Sequence, residues 1–230
     1  MSTVDPIYPV GLVVAGRSCL VVGGGHVAGR KARSLLACRA TVTMVAPEAH
    51  EALAMLTSDG TIQAIEAAPL DVQLREYAVG EAADYMLVVT ATGVPEVDRA
   101  VSEDARRAGV WVNSADDAQN CTFLLPAVHR RGPVTIAVST SGSSPALAAW
   151  LRGRIADSLG HGIEELASLL EEGRALVHEQ GRSTESVDWA QLLEGPLPGL
   201  VAAGRIREAR RVMRSALLDN NGNRSPGPEE

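Results

Sequence analysis

The run Gly23-Gly24-Gly25-His26-Val27-Ala28 fits the spacing G-x-G-x-x-G/A. This spacing suits a phosphorylated ligand. Gly23 permits a tight turn, Gly25 lets the main chain approach a pyrophosphate, and Ala28 keeps a following helix close to its sheet. The amides of Gly25, His26 and Val27 would then point outward at the positive end of that helix. A glycine-rich turn without ligand needs the same backbone freedom, so the motif draws its weight from its flanks. A second run, Asn113-Ser114-Ala115-Asp116-Asp117, offers carboxylates for general acid or base work. Spacing alone favours an Asx turn or a cap there. In a third run, residues 139–145, Ser144 and Pro145 have the types of an N-cap and a first helical residue, with an anion-binding turn as the other reading.

Other chemistries lack their residues. His26, His50, His129, His161 and His178 are scattered, with no i, i+4 pair and no cysteine at ligand spacing, so no metal site is expected. Lys31, the chain's single lysine, follows no phosphate-binding G-x-x-x-x-G-K-[ST] run. Cys19, Cys38 and Cys121 are odd in number and lie in apolar segments, which suits buried reduced thiols. A formal charge of −7 argues against nonspecific nucleic-acid binding. The cations are otherwise all arginine, whose planar fork matches carboxylates.

The elements that must position these residues follow from pattern. Residues 18–23 are β-rich and stop at the glycines, and residues 27–38 carry apolar positions at helical spacing, which gives strand, turn, helix. Further strands are predicted at 41–46, 62–65, 85–90 and 110–112, with helices at 71–77 and 95–108. This alternation implies a parallel sheet covered on both faces. Glu48, just past the second strand, is placed to accept ribose hydroxyls and repel a 2′-phosphate, favouring NAD over NADP. Pro47 beside it is an apolar wall for an adenine or a plain helix-initiating proline. Thr90, ending the 85–90 strand, would face the same crevice.

After Asn113 the rhythm changes. Residues 122–128 and 134–140 read as a hairpin joined by 129–133, and helices are predicted at 145–158, 163–178, 189–193 and 200–218. The expected fold is α/β: a Rossmann-type parallel sheet (1–113), a β-hairpin and helix dimerisation module (114–158), a small helical C-terminal region (159–218) and a disordered tail (219–230). No apolar run is long enough to span a bilayer, and residues 1–9 lack a signal-peptide pattern, so no membrane partner and a cytoplasmic location are expected.

Three stretches together carry a resemblance: VVGGGHVAGRKARSLL (21–36), the N-x-x-D of Asn113 to Asp116 followed by CTFLLPA, and AVSTSGSSPALAAWLR (137–152). Over residues 6–174 the chain resembles the precorrin-2 dehydrogenase family, the N-terminal module of siroheme synthases. The resemblance implies NAD-dependent oxidation of the tetrapyrrole precorrin-2 to sirohydrochlorin by an intertwined homodimer. It places the family's functional aspartate on Asp116 as general base, with Asp117 as a second carboxylate beside it. NAD contacts fall on His26 with Val27 and on Pro47 with Glu48, and a regulatory position falls on Thr140. Some family members also insert Fe2+ into sirohydrochlorin. Methylation is expected to be done elsewhere, because the chain is too short for that further domain. Arg130, Arg131, Arg152 and Arg154 are candidates for the substrate's carboxylates. A different reading is an NAD-sensing Rossmann module without turnover, which would need the glycines but not Asp116.

Overall fold

The computed structural model describes residues 7–57 and 70–219. Two compact units divide the chain: Met1–Leu125 with Ser141–Ser143, and Pro126–Thr140 with Ser144–Glu230.

The first unit is built on β1 (Ser18–Val22), β2 (Thr41–Ala46), β3 (Leu70–Leu74), β4 (Leu87–Thr90) and β5 (Trp111–Ser114). Its sheet runs β3-β2-β1-β4-β5 with every pair parallel. The central strands are almost wholly apolar because both faces are covered. On one face Cys19, Val21, Val42, Met44, Leu87 and Val89 meet Ala28, Ala32 and Leu36 of α1 (His26–Leu36), with Ala52 and Leu56 of α2 (His50–Thr57). On the other, Leu20, Val22, Val45, Val88 and Val112 meet Val101 and Ala105 of α3 (Pro95–Arg107). This is the two-residue alternation of a strand read on both sides.

Two expectations for this unit are corrected. Residues 71–77 are not helical; Leu70–Leu74 is the edge strand β3, paired with β2 from Val42↔Leu70 to Ala46↔Leu74. Leu70 and Val72 pack on the core while Leu74 is 67% exposed. The predicted strand at 62–65 lies outside the described residues. The strands predicted at 85–90 and 110–112 are found as Leu87–Thr90 and Trp111–Ser114.

The second unit holds an antiparallel hairpin, β6 (Ala127–Arg131) and β7 (Val134–Val138), in which Arg131 pairs with Val134. The turn is therefore only Gly132-Pro133, with Gly132 at φ 54°, shorter than the predicted 129–133. α4 (Pro145–Ser158) starts as predicted, the Ser144 hydroxyl accepting from the Leu147 amide at 3.2 Å with Pro145 next. α5 (Ile163–Glu179), α6 (Trp189–Glu194), α7 (Leu197–Ala202) and α8 (Ile206–Asp219) follow. Leu169, Val177, Leu197, Val201 and Met213 form their core. The single helix expected over 200–218 is two helices, broken where Gly204 takes φ 71°. The predicted tail at 219–230 falls outside the described residues save Asp219, which ends α8. Among the described residues no helix is long and apolar enough to cross a membrane.

A polar contact ties α3 to the segment before it. Asp104 is 6% exposed and accepts from the Tyr77 hydroxyl and from the Gly80 amide at 2.7 Å, with Arg107 at 3.7 Å. Burial alone would raise its pKa; the hydrogen bonds from Tyr77 and the backbone outweigh it and hold the carboxyl below its usual range. We expect Asp104→Ala, which strands those donors, to cost about 1–3 kcal/mol. A folded-state pKa below the unfolded one means this contribution is complete above the ordinary carboxylate value, about 3.9, and is lost as pH falls through the folded value. Melting curves of both proteins from neutral to acid pH check this; parallel curves would refute it.

Candidate functional site

The glycine run turns the chain from β1 into α1. Gly23 has φ 129°, donates its amide to the Val45 carbonyl at 2.9 Å, and would place a Cβ 2.2 Å from the Ala91 carbonyl oxygen, just past β4. A Cβ on Gly24 would stand 1.7 Å from the Glu48 carbonyl oxygen, and the Gly24 carbonyl accepts from Ala52 at 3.0 Å. Gly29, on the next turn, is also tight, though less so, with 2.9 Å from a built Cβ to Ala52 Cα. The turn is thus wedged between the carboxyl ends of β2 and β4, and two of its glycines are required by packing. The spacing argument gave close packing to Ala28; the structure gives it to Ala28, fully buried against β1, and to Gly24 and Gly29 against the start of α2.

Gly25 differs. As N-cap of α1 it is extended (φ −87°, ψ −178°), and the nearest atom to a built Cβ is Glu51 Oε2 at 3.5 Å. His26 and Val27 after it are exposed, and no acidic residue occupies the first turn. The first amides of a helix have no partner within it, so this end is an open cradle of donors at the positive pole. The exposed Glu51 side chain borders this end, its Oε2 the atom nearest a Cβ built on Gly25. Pro47 and Glu48, also exposed, lie between β2 and α2. The contact with Gly24 holds Glu48 beside the cradle.

At the end of β5 the two carboxylates part company. Asp117 accepts from the Gln119 amide at 3.0 Å and from Asn120 Nδ2 at 2.7 Å, capping the 3₁₀ turn Ala118–Asn120. Asp116 is exposed and free of such bonds. Cys121 staples the turn, its thiol donating to the carbonyls of Ser114 at 3.3 Å and Asp117 at 3.4 Å and accepting from the Ser114 amide at 3.2 Å. Burial raises that thiol's pKa. Lys31, on α1, has its pKa lowered by burial first and then by Arg30, while Cys121 and Asp116 act the other way.

Several expectations are refined. Thr90 does not open into the crevice; fully buried, its hydroxyl donates to Asp98 of α3. Cys19 is buried, with a pKa pushed up to about 11 by burial and by Cys38, but Cys38 and Cys121 are only half-buried. Thr140 is engaged in the turn before α4, its hydroxyl accepting from the Ser144 amide at 3.0 Å. Among the arginines, Arg131 faces Glu164 at 3.9 Å, Arg154 lies 6.0 Å over the Trp150 ring, and Arg152 has a buried Nε without a partner. No cluster of three or more His, Cys, Asp or Glu able to hold a metal occurs among the described residues. Sequence reasoning missed Asp98 and the buried hydroxyl of Ser114. Thr90, a hydroxyl ending a strand, was a signal for Asp98, its partner; nothing in the sequence marked Ser114.

A parallel sheet ordered in this way, with an open glycine cradle at its topological switch point, defines a Rossmann-type dinucleotide-binding protein. Residues 10–127 match the family model described as "Putative NAD(P)-binding", and the chain belongs to that family. Residues 131–158 match a second model, "Sirohaem biosynthesis protein central". Similar curated proteins include a siroheme synthase of Nitrosomonas europaea, 35% identical over 226 residues, covering 96% of this chain and 45% of that protein. Another is a siroheme synthase of Thioalkalivibrio sulfidiphilus, 37% identical over 224 residues, covering 96% of this chain and 44% of its own. The chain thus spans less than half the length of these relatives. A solved structure described as "SirC, precorrin-2 dehydrogenase" shares the fold, with TM-score 0.66 and 24% identity over 91% of this chain and 100% of that one.

Proposed function

We propose that the chain oxidises precorrin-2 to sirohydrochlorin with NAD+, Asp116 serving as general base. The observation that carries this reading is Asp116 itself: an exposed carboxylate free of hydrogen bonds, at the carboxyl end of the sheet whose switch point forms the glycine cradle. The relatives named siroheme synthase and precorrin-2 dehydrogenase supply the substrate.

In this reading Gly25, His26 and Val27 present their amides to the pyrophosphate, Pro47 flanks the adenine, and Glu48 takes the ribose hydroxyls. When bound, the cofactor accepts a hydride at its nicotinamide C4. Asp116 takes the proton that must leave the substrate with that hydride. Asp117, committed to its cap, holds the turn that aims Asp116. Glu48 would lie against a 2′-phosphate, which selects NAD over NADP.

The module of β6, β7 and α4 supports a homodimer. Neither strand contains a buried residue, Ala148 alone is buried on α4, and Leu147, Trp150 and Ile155 are 47%, 60% and 42% exposed. A second copy of the chain is the proposed cover.

Anaerobic incubation with precorrin-2 and NAD+ is expected to yield NADH and sirohydrochlorin together, with NADP+ a poorer oxidant. NADH formation no faster than without protein would refute the enzymatic reading and leave dinucleotide sensing.

A further inference from the structure

Lys31, the chain's single lysine, lies on the second turn of α1. Ala28, Ala32 and Leu36 form the buried stripe of that helix. Lys31 stands beside the stripe with Leu35, four residues on, which packs against the same core as Ala115 and Phe123. Side chains on a helix lean toward its N-terminus, so the four-carbon stem carries the ammonium up toward the carboxyl ends of the strands. There it comes within electrostatic reach of the turn after β5, where Cys121 and Asp116 both act on it.

This ammonium is half-buried, yet it has no hydrogen bond or ion pair among the described residues. Burial, and then Arg30, pull its pKa down, the mark of a charge held partly out of water without a counter-ion. The Cys121 thiol cannot serve as one: burial raises its pKa, and its sulfur is committed to the backbone of Ser114 and Asp117. Asp116 is exposed and makes no bond of its own. The two opposite charges therefore face one another without closing, and an anion is what Lys31 lacks.

Resting on the precorrin-2 reading above, we propose that Lys31 binds a carboxylate arm of the tetrapyrrole and that this contact sets the reacting ring carbon against Asp116.

Charge sorts the substrate's groups. Its acetate and propionate arms are attracted by Lys31 and repelled by Asp116, so an arm goes to the helix while the ring from which it springs meets the proposed base. The two protein groups come from different elements, α1 and the turn after β5, and the bound substrate bridges them. Both lie in the same unit, beside the crevice that begins at the glycine cradle.

Because no other lysine is present, acetylation of the full chain with an N-hydroxysuccinimide ester, followed by mass spectrometry, reads Lys31 with the N-terminal amine as reference. We expect saturating sirohydrochlorin to slow acetylation of Lys31 about tenfold or more and to leave the reference unchanged, with ADP-ribose giving no such protection. Lys31→Met should melt no lower than the wild type, since it removes an unpaired, half-buried charge, and should bind ADP-ribose equally. Its KM for precorrin-2 should rise about ten- to a hundredfold, with a smaller fall in kcat, and Lys31→Arg should recover most of that KM. An unchanged KM in Lys31→Met, or acetylation slowed by ADP-ribose and not by sirohydrochlorin, would overturn the proposal in a protein that still forms NADH. A wild type that neither forms NADH from precorrin-2 nor binds sirohydrochlorin would remove both readings.

Discussion

Asp116→Ala is expected to lower NADH formation with precorrin-2 by about 10²–10⁴-fold, the range that loss of a positioned base produces. Asp116 is exposed and makes no hydrogen bond, so the variant should melt with the wild type and bind ADP-ribose equally well. The adjacent Asp117→Ala should behave in the opposite way. It removes the acceptor of the Gln119 amide and of Asn120 Nδ2 and so costs about 0.5–2 kcal/mol of stability, with a smaller effect on turnover. Single-turnover rates beside melting temperatures for the two variants separate the roles. A slow Asp117 variant beside a near-normal Asp116 variant would assign the base to the wrong carboxylate.

The second large effect divides two neighbouring glycines. In Gly24→Ala the new methyl would stand 1.7 Å from the Glu48 carbonyl oxygen, an overlap that backbone must relieve by parting the loop from the start of α2. The 3.0 Å bond from Ala52 to the Gly24 carbonyl is strained with it. We expect a loss of about 1–3 kcal/mol or more in stability, together with weak dinucleotide binding because Glu48 moves. In Gly25→Ala the methyl meets only the Glu51 carboxylate, at 3.5 Å. That variant should melt normally and still bind dinucleotide about 10–100-fold more weakly, since 1.4 kcal/mol of lost contact is a factor of ten. Thermal melts and calorimetry on both variants check the contrast; a stable Gly24→Ala protein with wild-type affinity would contradict it.

The glycine run, the helix beginning at Pro145 and the strand-helix alternation were legible because each depends on local rules: backbone freedom, capping chemistry and periodicity. β3 was not, although Leu70, Val72 and Leu74 alternate as a strand should. An edge strand with one half-solvated face has too few apolar residues to outweigh the helix-compatible Asp, Gln, Arg and Glu around them. The break between α7 and α8 was hidden because Gly204 interrupts an otherwise continuous helical pattern, and only its left-handed conformation ends the first helix. The division of labour between Asp116 and Asp117 could not be read from adjacent identical residues. It depends on the local 3₁₀ turn, in which the Gln119 amide and Asn120 Nδ2 return to Asp117 and leave Asp116 unbonded. Ser114 likewise reads as one more small polar residue until β5 is placed beside β4 and its hydroxyl is found buried without a partner.

The hairpin without a buried residue has a thermodynamic corollary. A two-stranded ribbon is marginal by itself in water, and α4 beside it leaves Trp150 more than half in solvent. Under the proposed pairing its order comes from association, so mass action governs it and the melting temperature climbs with protein concentration. Dilution series followed by calorimetry and sedimentation should show both together. A midpoint indifferent to dilution, in a protein that sediments as a single chain, would mean that the ribbon stands alone.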